Sequence, residues 1–235
     1  MKISIIIPVY NEEKTITLVL DRVLSVTLPE GMTREIIVVN DGSCDQTVEV
    51  LNSYNQRQDL KILHQTNQGK TAAVLRGIAQ ADGDIILIQD ADLEYNPVQY
   101  PALLEPILKG EADVVYGSRF LGNIKDMRWI NYWANRVSNW TLRTLYGVNL
   151  TDINTCYKVF NRQAFQGIRI CSRNFAFETE VTVKLILKGM RIKEVPIEYV
   201  ARSYREGKKI RWITALEMYW PIIKYRFYPP SSGEN

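Results

Sequence analysis

The sequence predicts an α/β domain with a mostly parallel central sheet flanked by helices, and three observations carry the prediction. Apolar, β-branched runs alternate with longer helix-like stretches, the pattern of strands joined by crossover helices. The first run, residues 3–9, is apolar almost throughout, as for a strand covered on both faces. Polar clusters directly follow three of the strands: Tyr10-Asn11-Glu12, Asn40-Asp41-Gly42-Ser43 and Gln89-Asp90-Ala91-Asp92. Ligands of such sheets bind beyond the carboxyl ends of the strands, where these residues fall.

In order, strands are expected at 3–9, 35–39, 60–63 and 84–88, with helices at 12–26, 45–54 and 70–80 between them. The second half is less regular. A strand at 113–116 leads into a polar, glycine-containing stretch, 117–129, long enough to be a lid. A helix follows at 131–146, a strand at 155–160, a helix at 178–188 and a strand at 191–195 that Pro196 ends. Residues 202–211 are basic and polar. The aromatic-rich 211–228 reads as a C-terminal helix appended to a domain of 1–210, and 229–235 as a disordered tail.

The chain has 235 residues, 46% hydrophobic and 23% charged, enough for one sizeable core. A net charge of +3 does not suggest a nucleic-acid binder. The charge is unevenly spread, because residues 184–226 hold eleven Lys or Arg against four Glu. Three cysteines, Cys44, Cys156 and Cys171, with no CxxC pair and His64 as the one histidine, argue against a zinc site or disulfide framework. The N-terminus lacks the features of a signal peptide, so a cytoplasmic protein is expected. No run reaches the ~20 apolar residues needed to cross a bilayer, which leaves peripheral contact with the cytoplasmic membrane face. Trp212, Tyr219, Trp220, Tyr225, Phe227 and Tyr228, mixed with Lys and Arg, suit such an interface; they equally suit a core or dimer contact.

Asp90 and Asp92 stand one residue apart at a strand end, where both can turn toward one hard cation, Mg²⁺ or Mn²⁺, with Glu94 as a third contributor. Two carboxylates suffice if phosphate oxygens fill other positions. Gly69-Lys70-Thr71 is not a phosphate-binding P-loop, since His64 occupies the place of its first glycine, and no G-x-G-x-x-G follows the first strand. Gly69 still allows close backbone approach, and Lys70 is either near phosphate or solvated. Asp41 could accept hydrogen bonds from a base or ribose, or cap the helix starting near Asp45. Arg119, Arg128, Arg202 and Lys209 lie in irregular segments where cations could neutralise phosphates, or be solvated. Glu178 and Glu180, two apart on a helix, cannot share a face, so at least one is structural.

In combination, Ile7-Pro8-Val9-Tyr10-Asn11-Glu12, Val39-Asn40-Asp41-Gly42-Ser43, Gly69-Lys70-Thr71-Ala72-Ala73, Asp90-Ala91-Asp92-Leu93-Glu94, Gly117-Ser118-Arg119 and Glu194-Val195-Pro196-Ile197 resemble the family 2 glycosyltransferases of the GT-A fold. The resemblance runs from about residue 3 to 209 and is strongest to polyprenyl-phosphate sugar synthases. It implies that Pro8, Tyr10, Glu12 and Asp41 hold the nucleoside and that Asp90 and Asp92 act through the metal. It also implies that Arg119, with Arg128, contacts phosphates, that the segment around Arg202 and Lys209 closes over the donor or meets the acceptor phosphate, and that Asp152 lies near the acceptor as a candidate base. Asn40 stands where the family usually has an aspartate, and Lys208 where relatives often carry serine.

The activity so implied is inverting transfer of a hexose from a nucleoside-diphosphate sugar (GDP-mannose or UDP-glucose type) to a polyprenyl phosphate, dolichyl or undecaprenyl, at a membrane surface or beside a separate membrane subunit. The rivals are a transferase acting on a sugar hydroxyl of a polysaccharide or glycolipid, and a non-catalytic nucleotide-sugar-binding subunit. Donor base, sugar and oligomeric state stay open at this stage.

Overall fold

The computed structural model describes residues 1–172, 176–201 and 212–229, the side chains of 212–216 excepted. Its first half follows the expected alternation: β1 (Lys2–Val9), α1 (Ile16–Ser25), β2 (Thr33–Asp41), α2 (Thr47–Asn52), β3 (Leu60–Gln65), α3 (Lys70–Gln80) and β4 (Ile85–Ile88). Then come α4 (Tyr100–Leu108), β5 (Val114–Lys125), α5 (Trp129–Tyr146), β6 (Lys158–Asn161), the short α6 (Arg162–Phe165), α7 (Phe177–Leu187), β7 (Ile192–Val200) and α8 (Trp212–Phe227). The strands form a seven-stranded sheet in the order β3-β2-β1-β4-β6-β5-β7. It is parallel from β3 to β4, while β6 runs antiparallel to both neighbours, β4 and β5.

Helices cover both faces. Ile3, Ile5 and Ile7 of β1 join the cluster containing Ile16, Val19 and Leu20 of α1 and Leu103 and Leu104 of α4. Ile6 points the other way, into the cluster of Ala73 and Val74 of α3, Val181 and Val183 of α7, and Ile222 and Tyr225 of α8. All four isoleucines of β1 are fully buried, each contributing roughly 1.5–3 kcal/mol relative to exposure. Helix α3 lies directly on the sheet because Gly77 has no side chain: a Cβ there would meet Ile6 Cγ2 at 2.4 Å.

Four departures from the sequence reading have local causes. Helix α4 was not expected, because Pro97, Pro101 and Pro106 break the helical signal. Pro97 heads a 3₁₀ turn and Pro101 falls in the first turn of α4, where a missing N–H costs nothing. The expected lid, 117–129, is largely strand: β5 pairs with β7 through Lys125, with its register shifted between Ser118 and Asn123. Pro196 does not end β7, which continues to Val200 as the outermost strand of the sheet, the position that tolerates a lost donor. Finally, β6 starts at Lys158, leaving Thr155, Cys156 and Tyr157 as loop.

Helix α8 occupies the aromatic segment and divides it. Tyr225 is buried and donates to Glu180 at 2.6 Å, and the Tyr219 hydroxyl donates to the Ala134 carbonyl at 2.9 Å. Trp220, Phe227 and Tyr228 are exposed. Among the described residues, no helix is long and apolar enough to cross a membrane.

Candidate active site

The polar clusters after β1, β2 and β4 converge at one end of the sheet, as the parallel topology requires. After β1, Asn11 adopts a left-handed φ of 53°, a conformation Asn tolerates better than most residues. Its N–H donates to Ser43 Oγ and its side-chain oxygen accepts from the Cys44 N–H, which locks the first loop to the second. Glu12 is buried; its N–H donates to Thr47 Oγ1, and Thr15 Oγ1 donates to its carboxylate at 2.8 Å. Pro8 lies near the end of β1, and Tyr10 is half-buried just beyond it.

Asp41, at the end of β2, does not cap α2. Asp45 ties that turn instead, accepting the Thr47 N–H at 3.0 Å. The Asp41 carboxylate accepts from Gln65 Nε2 and from the N–H groups of Gln68 and Gly69 at 2.7–2.9 Å, and so fixes the loop leading into α3. Gly69 precedes α3 with φ 90°, a conformation only glycine adopts readily. Asn40 is likewise structural, bonded to His64 Nδ1 and to the Ser43 N–H.

Lys70, the first residue of α3, is not solvated. Its ammonium reaches Asp90 at 2.8 Å, Glu178 at 3.3 Å and Cys156 Sγ at 3.1 Å. Burial works against its charge, but Asp90, Cys156 and Glu178 hold its pKa well above the ordinary lysine value, so it is a fixed cation. Burial, with Asp90 and Glu178 beside it, pushes the Cys156 thiol well up; it stays protonated and is no nucleophile. The loop carrying Asp90 and Asp92 is held from below by Gln89, which is fully buried. Its Oε1 accepts from Tyr100 and Tyr157, and its Nε2 donates to the Asp90 carbonyl. Leu93 turns the chain after Asp92 with φ 62°, a strained conformation of the kind that clusters at functional sites. Glu94 accepts the Tyr199 hydroxyl at 2.7 Å.

Arg119 sits where the β5–β7 register shifts, and it is buried. Asp152 binds its Nε and Nη2 at 2.7 Å each and its N–H at 2.9 Å, while Asn135 of α5 accepts from Nη2 at 3.2 Å. The guanidinium lies 5.1 Å from the Tyr199 ring centroid, so Tyr199 joins the Arg119–Asp152 pair to Glu94 and the Asp92 loop. Asp152 is held in turn by Glu194, which accepts the Asp152 N–H at 2.8 Å and the Thr151 N–H at 2.7 Å. Arg128, exposed, flanks the start of α5. Arg202 and Lys209 lie outside the described residues.

Sequence reasoning underrated three of these groups. Glu178 enters the site beside Lys70, whereas Glu180 faces away, to Lys184 and Tyr225; the two-residue spacing predicted the division but not which carboxylate entered. Gln89 and Tyr199 carried no signal, since their roles arise from contacts distant in sequence. Among the described residues, no three His, Cys, Asp or Glu side chains gather as a ready metal cage. Asp90 and Asp92 offer hard oxygen ligands, which suits an ion that shares its coordination with phosphate.

Two aspartates one residue apart at a strand end, the first ion-paired to Lys70, set in a mixed sheet with β6 reversed, point to a glycosyltransferase of the GT-A architecture. The chain belongs to glycosyl transferase family 2, whose family model matches residues 4–169. It is similar to the dolichol-phosphate mannosyltransferase of Pyrococcus furiosus, 29% identical over 88% of this chain and 59% of that protein. It is also similar to the undecaprenyl-phosphate 4-deoxy-4-formamido-L-arabinose transferase of Pseudomonas aeruginosa, 28% identical over 88% of this chain and 60% of that protein. The chain thus spans about three-fifths of the length of these relatives. In fold it is similar to glucosyl-3-phosphoglycerate synthase of Mycobacterium tuberculosis, solved with Mn²⁺, UDP and phosphoglyceric acid (TM-score 0.74, 20% identity, 99% of this chain and 80% of that one). The same enzyme solved with Mg²⁺ and UDP gives a TM-score of 0.73 at 21% identity over 99% of this chain and 81% of that one.

Proposed function

We propose that this site moves a hexose from a nucleoside-diphosphate sugar to a polyprenyl phosphate, inverting the anomeric carbon. The observation that carries the reading is that Asp90 and Asp92 share one end of the sheet with two ion-paired cations, Lys70 on Asp90 and Arg119 on Asp152. Asp90 and Asp92 would hold Mg²⁺ or Mn²⁺ on the donor diphosphate, and the ion when bound would supply charge stabilisation for the leaving group. Lys70 holds the Asp90 carboxylate in place. Arg119, oriented by Asp152, presents Nη1, which is uncommitted among the described residues, toward phosphate oxygens. Pro8, Tyr10, Glu12 and the Asp41-braced loop form the nucleoside end of the cleft.

The acceptor oxygen attacks from the face opposite the leaving diphosphate. A phosphate acceptor is ionised at neutral pH and needs little help from a base. This suits a site in which Asp152 is bound to Arg119 through both oxygens. The relatives named for dolichol and undecaprenyl phosphates support this acceptor class. One observation favours a second reading, transfer to a sugar hydroxyl: Glu178 Oε2 is buried with no hydrogen-bond partner, a carboxylate oxygen available to take a hydroxyl proton.

The test is incubation of the protein with Mn²⁺ or Mg²⁺, a panel of GDP- and UDP-sugars and a polyprenyl phosphate, with mass spectrometry of the lipid fraction. A metal-dependent lipid-linked sugar is the expected product. Donor binding without any lipid product, but with transfer to an oligosaccharide, would move the assignment to the hydroxyl acceptor; binding without any transfer would leave a non-catalytic subunit.

A further inference from the structure

Helix α5 is amphipathic in the unusual sense. Its inward side joins the core through Leu142, but toward the N-terminal half it is polar: Asn135 accepts from Arg119, and Asn139 accepts the Ile153 N–H at 3.1 Å and donates to the Thr151 carbonyl, so the helix is bonded to the loop that carries Asp152. Its outward side is aromatic. Trp129, Trp133 and Trp140 are 75%, 59% and 66% exposed, with Val137 beside them. At about 100° per residue these four fall with Arg136 and Arg143 inside an arc of roughly 120°. The molecule therefore leaves three tryptophans in water on the helix that braces its own active site, an arrangement that marks an interaction surface.

Charge decides the occupant. From residue 127 to 151 there is no Asp or Glu, while Arg128, Arg136 and Arg143 are present. A second copy packed on this face by two-fold symmetry would bring the arginines of one α5 against those of the other with no carboxylate between them. An anionic lipid surface meets the same face with opposite charge, and tryptophan with arginine is the composition that settles at the level of the headgroups. Helix α8 extends the surface: Tyr219 bonds to Ala134 of α5 and Tyr146 of α5 to Ile222, leaving Trp220 and Phe227 exposed.

We propose that the outer face of α5, led by Trp129, Trp133 and Trp140 with Arg136 and Arg143, docks on an anionic lipid bilayer and holds the Arg119–Asp152 end of the site against it. The docking needs no acceptor; its use to the enzyme rests on the polyprenyl-phosphate reading.

The test separates the two. Vesicles of phosphatidylcholine with about 30% phosphatidylglycerol, and vesicles of phosphatidylcholine alone, are titrated with protein in the absence of donor and acceptor. Binding is read by sedimentation and by tryptophan emission, since all five tryptophans lie on α5 and α8. Binding to the anionic vesicles that weakens with salt is expected. Trp129→Ser/Trp133→Ser/Trp140→Ser should weaken it at least tenfold, and Arg136→Glu/Arg143→Glu, which keeps the apolar face, should abolish its preference for anionic lipid. These side chains already face water, so melting curves near wild type are expected; if the tryptophan variant does not fold, the arginine variant decides. The proposal is overturned if wild type ignores anionic vesicles, if the folded variants bind like wild type, or if wild type is a dimer that the tryptophan substitutions dissociate. A wild type that docks yet makes no lipid-linked sugar would sink the acceptor reading and leave the docking face standing.

Discussion

Asp152 holds the guanidinium of Arg119 through both carboxylate oxygens, at 2.7 Å each, with neither residue open to solvent. Each oxygen is thus committed to a cation, and the geometry is that of an aspartate that aims an arginine. Asp152→Asn keeps the shape but loses the charge; kcat should fall by about 100-fold, and stability by about 3 kcal/mol or more, because the cation is left buried without its partner. Arg119→Lys should lose a similar factor, since lysine cannot make the bidentate pair. In a double-mutant cycle the combined variant should be little worse than either single one. Additive losses would instead point to an independent role for Asp152 as a proton acceptor.

Lys70 separates Asp90 from Glu178 and contacts both. Lys70→Met leaves the carboxylates of Asp90 and Glu178 without the cation between them. Initial rates should drop by roughly 100-fold and the melting temperature should fall. An enzyme within threefold of wild type would show that the lysine is only a packing element.

Chelation should abolish transfer and leave the fold intact, because the protein's own groups hold this loop: Lys70 on Asp90, Tyr199 on Glu94 and Gln89 on the Asp90 carbonyl. Readdition of Mn²⁺ or Mg²⁺ should restore the rate. Asp92→Ala should lower metal-supported transfer by about a thousandfold or more, with a melting curve close to wild type; unchanged turnover in that variant would remove the metal assignment at this position.

Lys158 is buried, donates to the Ile153 carbonyl at 2.9 Å and lies 3.4 Å from the centre of the Tyr116 ring. Burial pushes its pKa down to about 7 despite the pull of Glu178 and Asp152. An unfolded lysine titrates near 10.5, so between about pH 7 and 10.5 the unfolded chain binds the extra proton and stability climbs with pH. Below pH 7 the penalty is fully present. The difference in unfolding free energy between wild type and Lys158→Met should therefore shift toward wild type by about 2 kcal/mol from pH 7 to 9. A pH-independent difference would place Lys158 outside the titrating groups.

Tyr225 anchors α8 to α7 through Glu180. Burial raises the Glu180 pKa, but hydrogen bonds from Ser172, Tyr225 and Lys184 outweigh it and hold the carboxyl below its ordinary value. Tyr225→Phe removes one of these and should cost about 1–2 kcal/mol, read as a lower denaturant midpoint. No loss would mean that α8 is held by its apolar contacts alone.

The sequence by itself determined the alternating strands and helices, and with them the edge of the sheet where the candidate site lies. The side-chain periods of strand and helix are local properties, and a parallel sheet sends every polar strand end to the same edge. Asp90, Asp92 and Asp41 were legible for that reason, and the motif set around them fixed the family. Only the tertiary structure decided what those residues touch. Lys70 could be read as solvated or phosphate-facing until α7 brought Glu178 beside it, and Asp41 as a helix cap until the loop before α3 folded onto it. The lid expected at 117–129 became strand because β7, some eighty residues later, supplies its hydrogen bonds, and Pro196 could stay in β7 because that strand is outermost. The outward tryptophans of α5 are in the sequence, but which side of a helix meets water is set by what packs on the other side. Here Asn135 and Asn139 were turned inward to the Asp152 loop beside the core residue Leu142, while the tryptophans faced out, an arrangement that hydrophobic periodicity cannot reveal.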